Sequence, residues 1–113
     1  MKSKIENFEQ LASKIRNINF TAKDGYSFTG DHWKISFRFE PNESKTMLKS
    51  VPVNVVISLR YKDSHILSWG NDSHESTIEM VKLYHEINNI VRTKENKQRE
   101  QNEKEAFLAF EML

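Results

Sequence analysis

The side chains with the most chemistry to offer fall into two alternating runs. Lys34 and Arg38 stand four residues apart, and Arg60 and Lys62 two apart. On a strand, even spacings place side chains on one face. Each pair therefore shares a face, and two neighbouring strands join them into a basic patch, with Lys45 and Lys49 in the segment between. Such a patch neutralises phosphates, and binding through it weakens as salt rises. Sheets that read nucleic acid also present aromatic rings for base stacking. Here Trp33, Phe37, Phe39 and Tyr61 have the opposite parity and belong to the core. A solvated sheet face is the preferred reading, and a nucleic-acid-binding or regulatory protein the alternative.

Other groups offer less. His32, His65, His74 and His85 form no HxxH, HxxxH or HExxH spacing, and no carboxylate accompanies them at ligand spacing. Asp31 with Glu40, or Asp63 with Asp72, are carboxylate pairs that nothing in their spacing singles out. Three glycines leave no phosphate cradle, and GxGxxG, P-loop and GxSxG patterns do not occur. Without cysteine there is no disulfide, thiolate zinc site or cysteine nucleophile. Trp69-Gly70-Asn71-Asp72 places an aromatic before a tight turn, where it borders either a small-ligand site between sheet and last helix or a sealed core. The sealed core is preferred. The chain is expected to be non-enzymatic, with no cofactor and no metal.

The elements that position these groups follow from periodicity. Ile5, Phe8, Leu11, Ala12 and Ile15 make one stripe of an amphipathic helix over 3–18, with Ser3 and Glu6 as a capping box. Asp24-Gly25 predicts a tight hairpin turn, and Gly30-Asp31 a second break. Trp33 to Phe39 alternate dry and wet, as do Val51 to Tyr61 across a polar loop at 41–50. Pro52 puts the start of that strand at an edge or outside the pairing. Asp63-Ser64 turns the chain into a strand over 65–69, and Gly70-Asn71 closes the sheet. Asp72 with Glu75 reads as a capping box for the last helix. Its apolar stripe runs Met80, Tyr84, Ile87, Val91, and neither Gly nor Pro follows Gly70. The expected fold is α+β: an N-terminal helix, an antiparallel meander of four or five strands, and a long C-terminal helix.

Composition sharpens this. The 113 residues are 37% hydrophobic and 29% charged, with a net charge of +1. That is one domain's length, and 29 Leu, Ile, Val and Phe exclude general disorder. No apolar run approaches a membrane span and no signal peptide is evident, so a cytoplasmic protein without membrane contact is expected. Residues 1–70 carry 11 Lys and Arg against 7 Asp and Glu, whereas 71–113 carry 6 against 9. From Arg92 to Glu105 there is no hydrophobic residue, and then Phe107, Leu108, Phe110, Met112 and Leu113 follow within a few positions. This divides the chain into a body, 1–91, and a polar helical extension, 92–113, with an apolar tail.

A helix from 73 to 113 measures about 60 Å at ~1.5 Å per residue, too long for a body of this size. Either the chain turns near 94–104 and the tail packs on its own sheet or first helix, or the tail hooks onto another subunit or a different protein. The first is preferred for contact with its own body, with some oligomerisation, a homodimer or higher, expected besides. The Lys-, Asn- and Ile-rich composition, small size and sparse motifs resemble in style the small proteins of phages and other mobile elements that bind host machinery. The leading expectation is an inhibitor or adaptor that self-associates or captures a protein through its C-terminal helix. The partner surface would be Phe107, Leu108, Phe110, Met112 and Leu113. A small-ligand binder is the third alternative.

Overall fold

The computed structural model describes residues 5–41 and 53–113. Helix α1 (Phe8–Arg16) leads into strands β1 (Ala22–Asp24), β2 (Ser27–Gly30), β3 (Trp33–Pro41), β4 (Val53–Tyr61) and β5 (Ser64–Gly70), and the chain ends in helix α2 (His74–Glu111). The sheet is a five-stranded antiparallel meander in sequence order. The α+β arrangement of helix, meander and long helix is as the sequence predicts. The Ser3 cap, Val51, Pro52 and nearly all of the polar loop lie outside the described residues.

Local chemistry sets the element ends. Asn7 caps α1, its side chain accepting from the Gln10 amide at 2.9 Å. The capping box of α2 is Ser73 with Ser76, one position beyond the expected Asp72 and Glu75. Ser73 Oγ accepts from the Ser76 amide at 3.0 Å, and Ser76 Oγ accepts from the amides of Ser73 and Asp72. With its own amide held by Ser76, Asp72 lies just outside the helix.

The hairpin turns also sit one residue from the expected dipeptides. Asp24 pairs with Ser27, so Gly25 and Tyr26 form the first turn, with Gly25 at φ +61°. Gly30 pairs with Trp33 and Tyr61 with Ser64. Asp31 and His32 turn one hairpin and Lys62 and Asp63 the other, all four at positive φ. Positive φ at both central residues is what the two-residue type I′ turn demands. The two turns are joined, since the Lys62 amide donates to the His32 carbonyl at 3.0 Å.

The dry face of the sheet carries Phe28, Ile35, Phe37, Val55, Ile57 and Leu59, all buried. Both helices cover this face, α1 with Leu11, Ala12 and Ile15, and α2 with Met80, Leu83, Tyr84, Ile87 and Val91. Tyr84 centres an aromatic cluster, its ring 5.3 to 5.7 Å from those of Phe37, Phe39, Tyr26 and Phe28. The other face is polar: the register places Ser27, Ser36, Ser58 and Ser68 in one row across four strands.

Asn71 ties β4 to the start of α2. Its side chain accepts from the Val55 amide at 3.1 Å and donates to the Val53 carbonyl at 2.8 Å and to Thr77 Oγ1 at 2.7 Å. Thr77 is buried, and Trp69 packs against the core. Truncation leaves these partners unsatisfied where water is scarce, so Asn71→Ala is expected to cost about 1–3 kcal/mol in denaturant unfolding. Asn71→Asp retains the acceptor and should still lose the bonds to Val53 and Thr77.

Candidate functional site

Helix α2 is built in three parts. Its first five turns are amphipathic and end their burial at Val91. Nothing after Val91 is buried, and every residue from Glu95 onward is exposed. Seventeen residues, Glu95 to Glu111, thus project by about 25 Å at ~1.5 Å per residue. The molecule measures 67 × 34 × 21 Å, and its radius of gyration is 18.1 Å, against roughly 13 Å for a compact chain of similar length. The expected turn near 94–104 does not occur, and the tail lies on neither its own sheet nor α1. The reason is local: no Gly or Pro interrupts this stretch, and a helix once nucleated propagates at little cost.

Lys94 marks where the helix leaves the body. Its ammonium donates to Asn19 Oδ1 and, at 3.1 Å, to the Phe20 carbonyl. Asn19 and Phe20 are in turn seated against Gly30, where a Cβ would lie 2.1 Å from the Asn19 carbonyl oxygen. Only a residue without a side chain allows that crossing. About two turns of α2 earlier, Arg16 Nε meets Glu86 Oε2 at 2.7 Å and links α1 to α2.

The tip carries the apolar surface. Phe107 is 70% exposed, Leu108 61%, Phe110 72% and Met112 87%, with Leu113 fully exposed. At about 100° per residue these side chains, with Ala106 and Ala109, occupy every sector of the helix except that of Glu111. A helix that is apolar all round is one that gets enclosed. Between body and tip the charge is polarised. Residues 92–99 carry Arg92, Lys94, Lys97 and Arg99 against Glu95, and 100–111 carry Glu100, Glu103, Glu105 and Glu111 against Lys104.

The basic residues singled out from the sequence are only partly brought together. Lys34 lies directly opposite Arg60 in the β3–β4 register, and Lys62 is in the adjoining turn. The Arg60 guanidinium donates to the Asp63 carbonyl at 2.7 Å. His32, Lys34, Arg60, Lys62 and Asp63 line a shallow cavity of about 290 Å³ at these hairpin tips. Arg38 stands apart, four residues along β3 and paired with Glu40 at 3.1 Å. Trp33, Phe37, Phe39 and Tyr61 all have dry-face parity. Among the described residues no cluster of three or more His, Asp or Glu is placed to hold a metal ion. No described helix is long and apolar enough to cross a membrane.

Sequence reasoning did not reach one feature. An open groove of about 1140 Å³ runs between α1 and the sheet, lined by Leu11, Ile15, Ile18, Trp33, Ile66 and Leu67 among others. Its signal was local irregularity in β5. Arg60 pairs with His65 and Leu59 with Leu67, so Ile66 is bulged out of register and is 45% exposed. No family model, curated protein or solved structure matches the chain.

Proposed function

We propose that this chain is a non-enzymatic protein-interaction protein, an inhibitor or adaptor, whose working part is the apolar tip of α2. One observation carries the reading: apolar side chains stand exposed on every side but that of Glu111 at a helix end that reaches about 25 Å beyond the body, at the end of a wholly polar stalk. Full burial of such a side chain contributes about 1.5–3 kcal/mol, a driving force that has no outlet among the described residues. A cytoplasmic protein of phage or mobile-element type fits the composition. The test is the mass in solution, by light scattering, with and without residues 106–113, together with tip-dependent binding to a candidate partner.

A second reading rests on the juxtaposition of Lys34 with Arg60 beside Lys62. If this end of the sheet grips phosphate, retention on immobilised DNA falls steeply with salt. Lys34→Ala with Arg60→Ala is then expected to flatten that salt dependence by about two phosphate contacts. Arg38→Ala, whose side chain is engaged by Glu40, should change it little. Retention unaffected by the double substitution removes this reading.

A further inference from the structure

The polarised stalk and the exposed tip together specify a partner. We infer that two copies of this chain pair antiparallel along the projecting part of α2, centred near Gln101, so that each tip arrives where the other copy's helix leaves its body. This rests on the reading that the tip is an interaction element, and it names the second copy as what the tip meets.

Charge sets the orientation. The half of the stalk near the body is basic and the half near the tip acidic. A parallel pair would set basic against basic and acidic against acidic. An antiparallel pair sets each half against its opposite, and charged flanking positions of this kind are what choose orientation in paired helices. Helix dipoles also oppose each other favourably in that arrangement.

Phase sets the seam. At about 100° per residue, Ile90, Lys97, Gln101, Leu108 and Met112 fall within a stripe roughly 60° wide. Ile90 is 50% exposed, an apolar side chain left open on the last turns that touch the body. With Gln101 at the twofold axis, Ile90 lies eleven residues before the centre and Met112 eleven after, so the two meet at each end. Lys97 then faces Glu105 of the other copy, and the aliphatic stem of Lys94 faces Leu108. The polar middle supplies register, and the apolar ends supply adhesion.

Location completes the match. Lys94 is held by Asn19 and Phe20, the residues that follow Asn17 and Ile18, and those two are among the residues that line the open groove. Each tip is thereby carried to the part of the opposite body where Lys94 is fastened, with Leu108 and Met112 on the seam. A chain cannot serve itself in this way, because its own tip projects about 25 Å beyond the last turn that touches the body. A symmetric pair also buries two tips for a single loss of translational and rotational freedom.

The chain lacks cysteine, which makes the test clean. Ile90→Cys and Met112→Cys variants of the full chain are prepared separately, mixed and oxidised. The expected product is a 90–112 bridged dimer from the mixture and little bridged product from either variant alone, since a disulfide needs Cα atoms within about 7 Å. Glu100→Lys with Glu103→Lys and Glu105→Lys is expected to weaken the wild-type dimer at least tenfold, with the loss shrinking at high salt. A 90–90 bridge from the first variant alone overturns the antiparallel arrangement while leaving the tip reading intact. A wild-type monomer at micromolar concentration overturns the second copy as partner, and the tip reading then stands or falls on binding to a different protein. An oligomer that forms equally well without residues 106–113 overturns both.

Discussion

Removal of residues 106–113 is expected to abolish the proposed self-association, leaving a monomer whose body stays folded. Every residue in that segment is exposed, and burial against the body ends at Val91, about four turns before the segment begins. The melting temperature of a dilute sample, where association contributes nothing, should therefore be unchanged within about a degree. At high protein concentration the full chain should melt later than the truncated one, because binding to the folded state raises its apparent stability. Phe107→Ala with Phe110→Ala tests the same point more gently. Aromatic side chains dominate truncation costs at interfaces, often at 2 kcal/mol or more each. Where the Phe107 and Phe110 side of the tip is enclosed, the pair is expected to weaken association by about 100-fold or more, at about 1.4 kcal/mol per factor of ten, whereas pairing through the Leu108 and Met112 seam alone should be weakened far less. Light scattering and a concentration series of thermal melts read both quantities. An unchanged mass for the truncated chain and for the double variant would show that the tip takes no part in self-association.

Gly30→Ala is expected to be the most damaging single substitution in the body for its size. A methyl group there would lie 2.1 Å from the Asn19 carbonyl oxygen and 2.7 Å from Phe20 Cα. Both are backbone atoms, and neither can swing aside as a side chain would. The cost should reach or exceed the upper end of the ~1–3 kcal/mol seen for overpacking, a fall in melting temperature of about 10 °C or more for a domain of this size. Gly25→Ala is the informative comparison. Gly25 has φ +61° and open space around its Cα, so it should pay only the left-handed backbone cost of about 1–2 kcal/mol. Equal losses at the two positions would place the problem in backbone conformation rather than in the crossing of β2 beneath Asn19 and Phe20.

Much of the fold was legible because it rests on period. Residues 33–39 and 53–61 alternate so regularly that the buried faces of β3 and β4 can be named residue by residue. What escaped was decided by pairing between strands. Asp31-His32 and Lys62-Asp63 make their turns because Gly30 aligns with Trp33 and Tyr61 with Ser64, and the Gly-Asp and Asp-Ser dipeptides drew attention one residue aside. The bulge at Ile66 depends likewise on where β5 meets Arg60 and Leu59. For the tip, the residues Phe107 to Leu113 announced themselves, but the direction of the helix did not. Oppositely charged pairs such as Glu95 with Arg99 permit a helix through the polar stretch at a few tenths of a kcal/mol each, which neither requires continuation nor forbids a turn.

The grip on Lys94 has a mechanical consequence. The projecting part of α2 is a lever arm whose only described fastenings lie at its root. A swing of 10° there displaces a tip at about 25 Å by some 4 Å, nearly the width of a phenyl ring. The firmness of one ammonium against Asn19 and Phe20 therefore sets the volume the tip explores before it meets anything. A narrow cone lowers the entropy lost on capture and sharpens the choice of approach. A glycine in a β-hairpin, by letting the Asn19–Phe20 backbone lie close, thus bears on the angular precision with which the far end of the molecule is held.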